Sequence, residues 1–336
     1  MDTPAGVIPR VGTRLTSVDR WGRALVRWGV GRMRYRVDPG LYAVGEPDAG
    51  SPVLVTANYK LTFDSLRASL TGLNAWVLAL DTDGVNVWCA AGKGAFGTAE
   101  LVRRIGLSRL SQVVSHRRLI LPQLSGPGVA GREVRRLSGF EALFGPVRAR
   151  DIPEYLAKGI QPGMRRVTFT FTERLVLVPV ELTGGLKPAA ALLVAFFLVG
   201  GLGGGQGYWH GLAHGGLFAV LAVVMAALAG MVATPLLLPW LPGRAFSLKG
   251  LGPGLAVFIF LALAGSFSLA DWAGRLECLA WLLMAPSLAS FTAMNFTGAS
   301  NFTSLSGVRK EMRTALPLQI AAGGIGLAAW LAALVL

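Results

Sequence analysis

Only two of the 336 residues are cysteines, and Cys89 stands in the run Val85-Asn86-Val87-Trp88-Cys89-Ala90-Ala91-Gly92-Lys93-Gly94-Ala95-Phe96-Gly97-Thr98. An apolar, strand-like stretch gives way there to a glycine-rich turn and then to a helix, which puts the sulfur at the mouth of an α/β unit. Several chemistries fit such a thiol. Gly92-Lys93-Gly94-Ala95-Phe96-Gly97 has the form Gly-x-Gly-x-x-Gly of a dinucleotide site. However, the acidic ribose ligand expected about 20 positions later is replaced by His116, Arg117 and Arg118, and a strand and helix already precede the match. A thiol nucleophile is the second reading, with positive potential from the helix start and Lys93 and with His116, the only histidine in this part of the chain, as its base. A buried strand cysteine with no chemistry is the third.

The fourth is a metal ligand. One protein sulfur without local partners suits a metal whose other positions are filled by a macrocycle, haem or corrinoid. With no Cys-x-x-Cys pair, neither a structural zinc site nor an internal iron-sulfur cluster is expected. The Cys-x-x-Cys-His haem attachment and the Asp-x-His-x-x-Gly pattern of histidine-ligated cobalamin proteins are also lacking. The residues alone leave these readings open.

Composition divides the chain. From Met1 to Leu186 there are 25 Lys+Arg against 15 Asp+Glu, whereas Lys187 to Leu336 holds 7 against 3 and is dominated by apolar residues. We expect a tail and basic segment over 1–50, an α/β domain over 51–186 and a membrane domain over 187–336. The start, Met1-Asp2-Thr3-Pro4, lacks the pattern of a secretory signal, so the first part is expected in the cytoplasm. No nucleic-acid partner is expected.

Val18, Trp21, Leu25 and Trp28 recur at spacings of three and four among Arg20, Arg23 and Arg27. This predicts a basic amphipathic helix, lying on a membrane surface or packed on its own domain with a solvated arginine face. Pro52–Thr56, Ala75–Leu80 and Val85–Cys89 read as buried strands, and a helix around Phe63–Leu70 has Thr62 as its cap and Asp64 in its first turn. Thr98 starts another helix, with Glu100 near its start and Arg103 and Arg104 near its end. Ser111–Ser115 and Leu119–Leu121 read as short extended pieces, and Pro122–Gly128 as a loop. A Phe140–Val147 strand, an Ile152–Lys158 helix and an extended run over Val167–Leu182 follow. Such alternation predicts a Rossmann-like, mostly parallel sheet, with Thr56, Asn58, Cys89, Gln123 and Gly126 gathered at the ligand-binding edge.

Five spanning segments are expected at about 188–204, 211–232, 252–270, 277–297 and 315–336, each near the ~20 residues a bilayer core needs. The proline-rich 233–243 stretch reads as a loop or interfacial segment. Arg244, Lys249, Arg309, Lys310 and Arg313 fall on one side and Arg275 alone on the other, which places the C-terminus outside. His210 and His214 share a helical face as an incomplete metal pair or as interfacial polar anchors, Cys278 is ambiguous because membrane helices often carry an inert cysteine, and the polar stretch 294–304 lines a cavity or caps a helix.

Asn86-Val87-Trp88-Cys89-Ala90-Ala91-Gly92-Lys93 resembles, letter for letter, the cap-helix signature of the HgcA family, the membrane corrinoid protein of microbial mercury methylation. Pro39-Gly40-Leu41-Tyr42, Val55-Thr56-Ala57-Asn58-Tyr59-Lys60 and Gly145-Pro146-Val147 are also similar to the corrinoid domain of the large corrinoid iron-sulfur protein subunit. That subunit's barrel and cluster cysteines have no counterpart here, and five spans belong to the mercury family alone. The resemblance implies an α/β corrinoid-binding domain followed by an all-α membrane domain in the cytoplasmic membrane. It implies Cys89 as axial cobalt ligand to a base-off cobalamin or related corrinoid, contacted by Asn86 to Lys93, Gly94, Gly97 and Thr98, with the small Ala90, Ala91 and Gly92 admitting the macrocycle. The implied reaction is methyl transfer from methyl-Co(III) to inorganic Hg(II), with return through Co(I). Implied partners are an HgcB-type ferredoxin with two 4Fe-4S clusters and a methyltetrahydrofolate-linked methyl donor. Methyl transfer to another soft acceptor or in carbon metabolism, and a membrane transport or corrinoid-handling protein, are the alternatives.

Overall fold

A computed structural model describes residues 1–203, 207–299 and 305–336; part of the polar 294–304 stretch and the end of the first expected span lie outside the described residues. The chain forms two compact units, Met1–Thr168 and Phe169–Leu336.

The first unit is built on a six-stranded sheet. A small antiparallel hairpin, β1 (Asp2–Thr3) and β2 (Gly6–Val7), precedes it. The sheet strands are β3 (Arg10–Val11), β4 (Gly40–Val44), β5 (Val53–Ala57), β6 (Ala75–Leu80), β7 (Arg118–Leu121) and β8 (Glu141–Phe144), in the order β3-β4-β6-β5-β7-β8. Strands β5 to β8 run parallel, and β4 pairs antiparallel with β6. Every residue of β5 and β6 is buried, as their continuous Val, Leu, Ala and Trp content requires of strands covered on both faces.

Seven helices accompany the sheet: α1 (Ser17–Arg27), α2 (Lys60–Ser69), α3 (Val87–Lys93), α4 (Thr98–Leu107), α5 (Leu110–Val113), α6 (Gly131–Ser138) and α7 (Ile152–Lys158). Phe63, Leu66 and Leu70 pack with Leu54 and Val77 on one face of the sheet. Val87, Ala90, Ala91, Leu101, Ile105 and Val134 pack with Val53, Val55, Ala57, Leu78, Leu80, Leu119 and Leu121 on the other. From β5 the chain moves to β6 on one side and then to β7 on the other. That reversal opens the crevice at strand C-terminal ends where α/β folds take ligands.

Several elements differ from the sequence reading. Residues 85–89 are not a strand. Asn86 accepts a hydrogen bond from the Cys89 amide at 2.9 Å and starts α3, a local cap that outweighs the β-propensity of Val85, Val87 and Trp88. The 111–115 stretch is largely the short helix α5. Helix α2 starts at Lys60 without a side-chain cap, so Thr62 lies inside it and Asp64 lies beyond its first turn, where it pairs with Lys60 and Arg67. The 167–182 run is not extended: Thr170 and Glu173 form a capping box on a Phe171–Leu175 helix, and another helix runs over Val178–Gly200. The reversed strand β4 carried no sequence signal beyond five residues between Pro39 and Gly45.

The second unit is helical among its described residues. Tyr208–Leu237, Phe246–Leu263, Trp272–Asn295 and Gly307–Val335 are four helices long and apolar enough to cross a membrane. A pair over Phe171–Gly185 and Ala189–Gly200, bent by 60°, makes a fifth if it is one span. The proline-rich 233–243 stretch is helical as far as Leu237. Backbones approach closely where Gly250 and Gly254 face Ala289 and Pro286. Lys249 is buried and donates to the carbonyls of Leu238 and Leu241, at 2.6 Å each.

Candidate cofactor-binding site

The site is organised by α3, two turns long and set beside the crevice. After β6 the chain turns through Asp81-Thr82-Asp83-Gly84, with Asp83 at φ 53° and Gly84 at φ 70°. Asn58, at the end of β5, holds this turn: its side-chain oxygen accepts from the Thr82 amide at 3.1 Å, the Thr82 hydroxyl at 2.9 Å and the Gly84 amide at 3.1 Å. Its amide nitrogen donates to Asp81 at 3.3 Å. From the other side Glu100 of α4 accepts from the Asp81 amide at 2.9 Å while paired with Arg103 and Arg104 at 2.8 Å. Burial alone would raise the Glu100 carboxyl, but the Asp81 amide and the two guanidinium groups hold it below its usual range.

Helix α3 thus starts from a fixed point. Cys89 lies in its first turn, half-buried, with Asn86 on its amide. Trp88 is also half-buried and Val87 is buried. Ala90 and Ala91 face the core, at 0% and 4% exposure, so their small size serves packing of the helix on the sheet. Gly92, Lys93 and Gly94 are exposed, and a Cβ added at Gly92 would meet only open space. Gly94 ends the helix at φ 86°, the left-handed cap that favours glycine.

The loop after β7 closes the other side. Gln123 starts a 3₁₀ turn over Gln123–Ser125 that packs against α3. Its Oε1 atom is buried and has no hydrogen-bond partner. Gly126 is exposed just beyond. Gly128 lies against α3 so closely that a Cβ there would sit 2.2 Å from the Phe96 carbonyl oxygen and 3.0 Å from the Ala91 Cα. The Thr98 amide donates to the Gly128 carbonyl at 3.2 Å, and the Thr98 hydroxyl accepts from the Ala130 amide at 2.9 Å. Gly97 precedes α4 as its cap residue and is buried.

Cys89, Gln123, Gly126 and the 92–98 turn therefore share one edge, and Asn58 supports it from beneath. Thr56 is elsewhere: strand alternation puts it with Leu54 on the α2 face, buried at 2%. His116 precedes β7, at the opposite edge from Cys89. Its ring is engaged on both sides, by the Ser51 carbonyl at 2.9 Å and the Arg118 amide at 3.2 Å, so it is not a base for this thiol. Among the described residues no three His, Cys, Asp or Glu side chains group to hold a metal ion. In the second unit the His210 and His214 rings stack at 4.1 Å. The sequence reading missed Glu100 and Gly128 as site-forming residues; the one signal was that Gly126-Pro127-Gly128 lies on the same predicted edge.

The donor set fits a flat macrocyclic group approached by one sulfur. A half-buried thiol, an open face at Gly92 and an unsatisfied buried amide oxygen at Gln123 offer one sulfur donor and one polar group with little side-chain bulk.

Comparison with known proteins falls on this unit. Residues 31–156 match the family model described as CO dehydrogenase/acetyl-CoA synthase delta subunit. The chain is 35% identical over 125 residues to the acetyl-CoA decarbonylase/synthase complex subunit gamma of Methanopyrus kandleri, covering 36% of this chain and 26% of that protein. It is 30% identical over 136 residues to the subunit gamma of Archaeoglobus fulgidus, covering 39% and 28%. It is 36% identical over 135 residues to subunit gamma 2 of Methanosarcina thermophila, covering 38% and 27%. The chain thus spans about a quarter of the length of these relatives.

Proposed function

We propose that this chain is a membrane-anchored corrinoid methyltransferase in which Cys89 is the axial ligand to cobalt and inorganic Hg(II) is the methyl acceptor. The observation that carries the reading is the position of Cys89: half-buried in the first turn of a capped helix that packs against the turn bearing an unpartnered Gln123 oxygen, within the segment similar to the acetyl-CoA decarbonylase/synthase subunits. The letter-for-letter likeness of residues 86–93 to the mercury-methylating family supports the choice of acceptor.

When bound, the corrinoid supplies a cobalt that accepts a methyl group and passes it on. The chain's own residues do the rest. Cys89 would hold the cobalt through a strongly donating sulfur on a backbone fixed by Asn86, and the bound group would supply methyl-transfer chemistry suited to a soft electrophile such as Hg(II). Asn58 and Glu100 fix the turn that sets the height of α3. Gln123 would donate or accept at the macrocycle's polar edge, while Gly92, Gly126 and the 94–98 turn keep bulk away. A ferredoxin of the HgcB type, with two 4Fe-4S clusters, would return electrons, and a methyltetrahydrofolate-linked route would supply methyl groups. The apolar helices would anchor the protein in the cytoplasmic membrane, five crossings leaving the C-terminus outside.

A second reading, delivery of the methyl group into carbon metabolism, is favoured by what the relatives are called. Purified protein incubated with methyl donor, reductant and Hg(II) separates the two. Methylmercury formation supports the first; a loaded corrinoid with no methylmercury removes it.

A further inference from the structure

Helix α1 presents the wrong stripe to solvent for a helix that belongs only to its own domain. Its apolar residues Val18, Trp21 and Trp28 are 79%, 68% and 53% exposed, and the turn after it adds Val30 at 57% and Met33 at 73%. The helix is held instead by its polar side. Asp19 accepts from Lys60 at 2.7 Å and from Arg67 at 2.8 Å, Gly22 lies against the Tyr35 ring, and Val26 is its one buried residue. Burial alone would raise the Asp19 carboxyl, but hydrogen bonds from Lys60, the Thr16 amide and Arg67 hold it far below the usual carboxylate range. Ion pairs therefore fix the helix with its tryptophans outward.

Around that stripe Arg20, Arg34 and Arg36 are exposed. Large exposed aromatic and aliphatic side chains rimmed by cations are the composition of a surface that enters the boundary between headgroups and acyl chains, where tryptophan is favoured and arginine meets phosphate. Among its described residues the same chain carries four helices long and apolar enough to cross a bilayer, which would tether a bilayer to this chain at high effective concentration.

We infer that α1 and the turn through Met33 form an interfacial docking surface for an anionic lipid bilayer, with Trp21 and Trp28 inserted and Arg20, Arg34 and Arg36 on lipid phosphates. The surface meets the turn before α3 only at its edge, where Arg36 lies 3.9 Å from Asp83, and the inference does not depend on the methyl-transfer reading.

The test uses the full chain in nanodiscs of phosphatidylcholine, with and without phosphatidylglycerol. The emission contributed by Trp21 and Trp28 is taken as the difference between wild type and W21F/W28F, which cancels the other tryptophans. It should shift to the blue and be quenched by lipids brominated near the headgroup end of the acyl chain, more strongly with phosphatidylglycerol. R20Q/R34Q/R36Q should lose the increment due to phosphatidylglycerol and retain the circular dichroism of the wild type. A difference emission that stays at the wavelength of water-exposed tryptophan and escapes lipid quenching in both discs overturns the inference. So does a blue shift that appears only on addition of a protein partner.

Discussion

At the scale of single residues, Asn86 ties the chemistry of Cys89 to the backbone. Its side chain both starts α3 and holds the Cys89 amide. Asn86→Ala should destabilise the helix by about 1 kcal/mol and weaken corrinoid retention while leaving Cys89 able to ligate, whereas Asn86→Ser or Asn86→Asp should restore most of both. Titration of each apo variant with corrinoid checks this, and equal affinity for all of them would detach the cap from the site. Gly128 offers a steric counterpart. A Cβ there would collide with the Phe96 carbonyl, so Gly128→Ala should push the 122–128 loop off α3 and lower the thermal midpoint of the first unit, seen by differential scanning calorimetry.

At the scale of elements, the turn between β6 and α3 depends on Asn58 and on an ionised Glu100. Because the folded-state Glu100 carboxyl is depressed, its contribution is complete above the unfolded value and is lost as pH falls below the ordinary carboxylate range, about 4. Asp19 has the same sign and ties α1 to α2. Amide exchange of residues 81–86 and 17–28, corrected for intrinsic rates, should therefore lose protection as pH drops from about 6 to about 3, and in Glu100→Gln the 81–86 protection should already be weakened at neutral pH. Much of this architecture was legible beforehand: β5 and β6 announce themselves as unbroken apolar runs, and α4 by Thr98, Glu100 and the arginines of its last turns. Helix α3 was not, because Val85 to Trp88 has strand-like side chains and the helix rests on one cap and a left-handed glycine end. Nor was the outward face of α1. The spacing of Val18, Trp21, Leu25 and Trp28 shows that a stripe exists but not which way ion pairs through Asp19 turn it. Thr56 ends a strand on the ligand-binding edge, which is the sequence's reason to count it in the site, but strand alternation sends its side chain to the other face.

At the scale of the molecule, an α/β unit similar to about a quarter of its relatives' length is joined to helices apolar enough for a bilayer. The bias of Arg244, Lys249, Arg309, Lys310 and Arg313 against Arg275 predicts that alkaline phosphatase fused after Leu336 is active and green fluorescent protein fused there is dark. The reverse pattern would place the C-terminus inside and exclude an odd number of crossings with the first unit in the cytoplasm. The central claim is a bond between one sulfur and cobalt, and its most direct measurement is the absorption spectrum of the corrinoid-loaded protein beside that of Cys89→Ala. The sulfur-to-cobalt features should be present in the wild type and lost in the variant, with methyl transfer lost alongside them. A Cys89→Ala protein that binds corrinoid with an unchanged spectrum would remove Cys89 from the cobalt and the account with it.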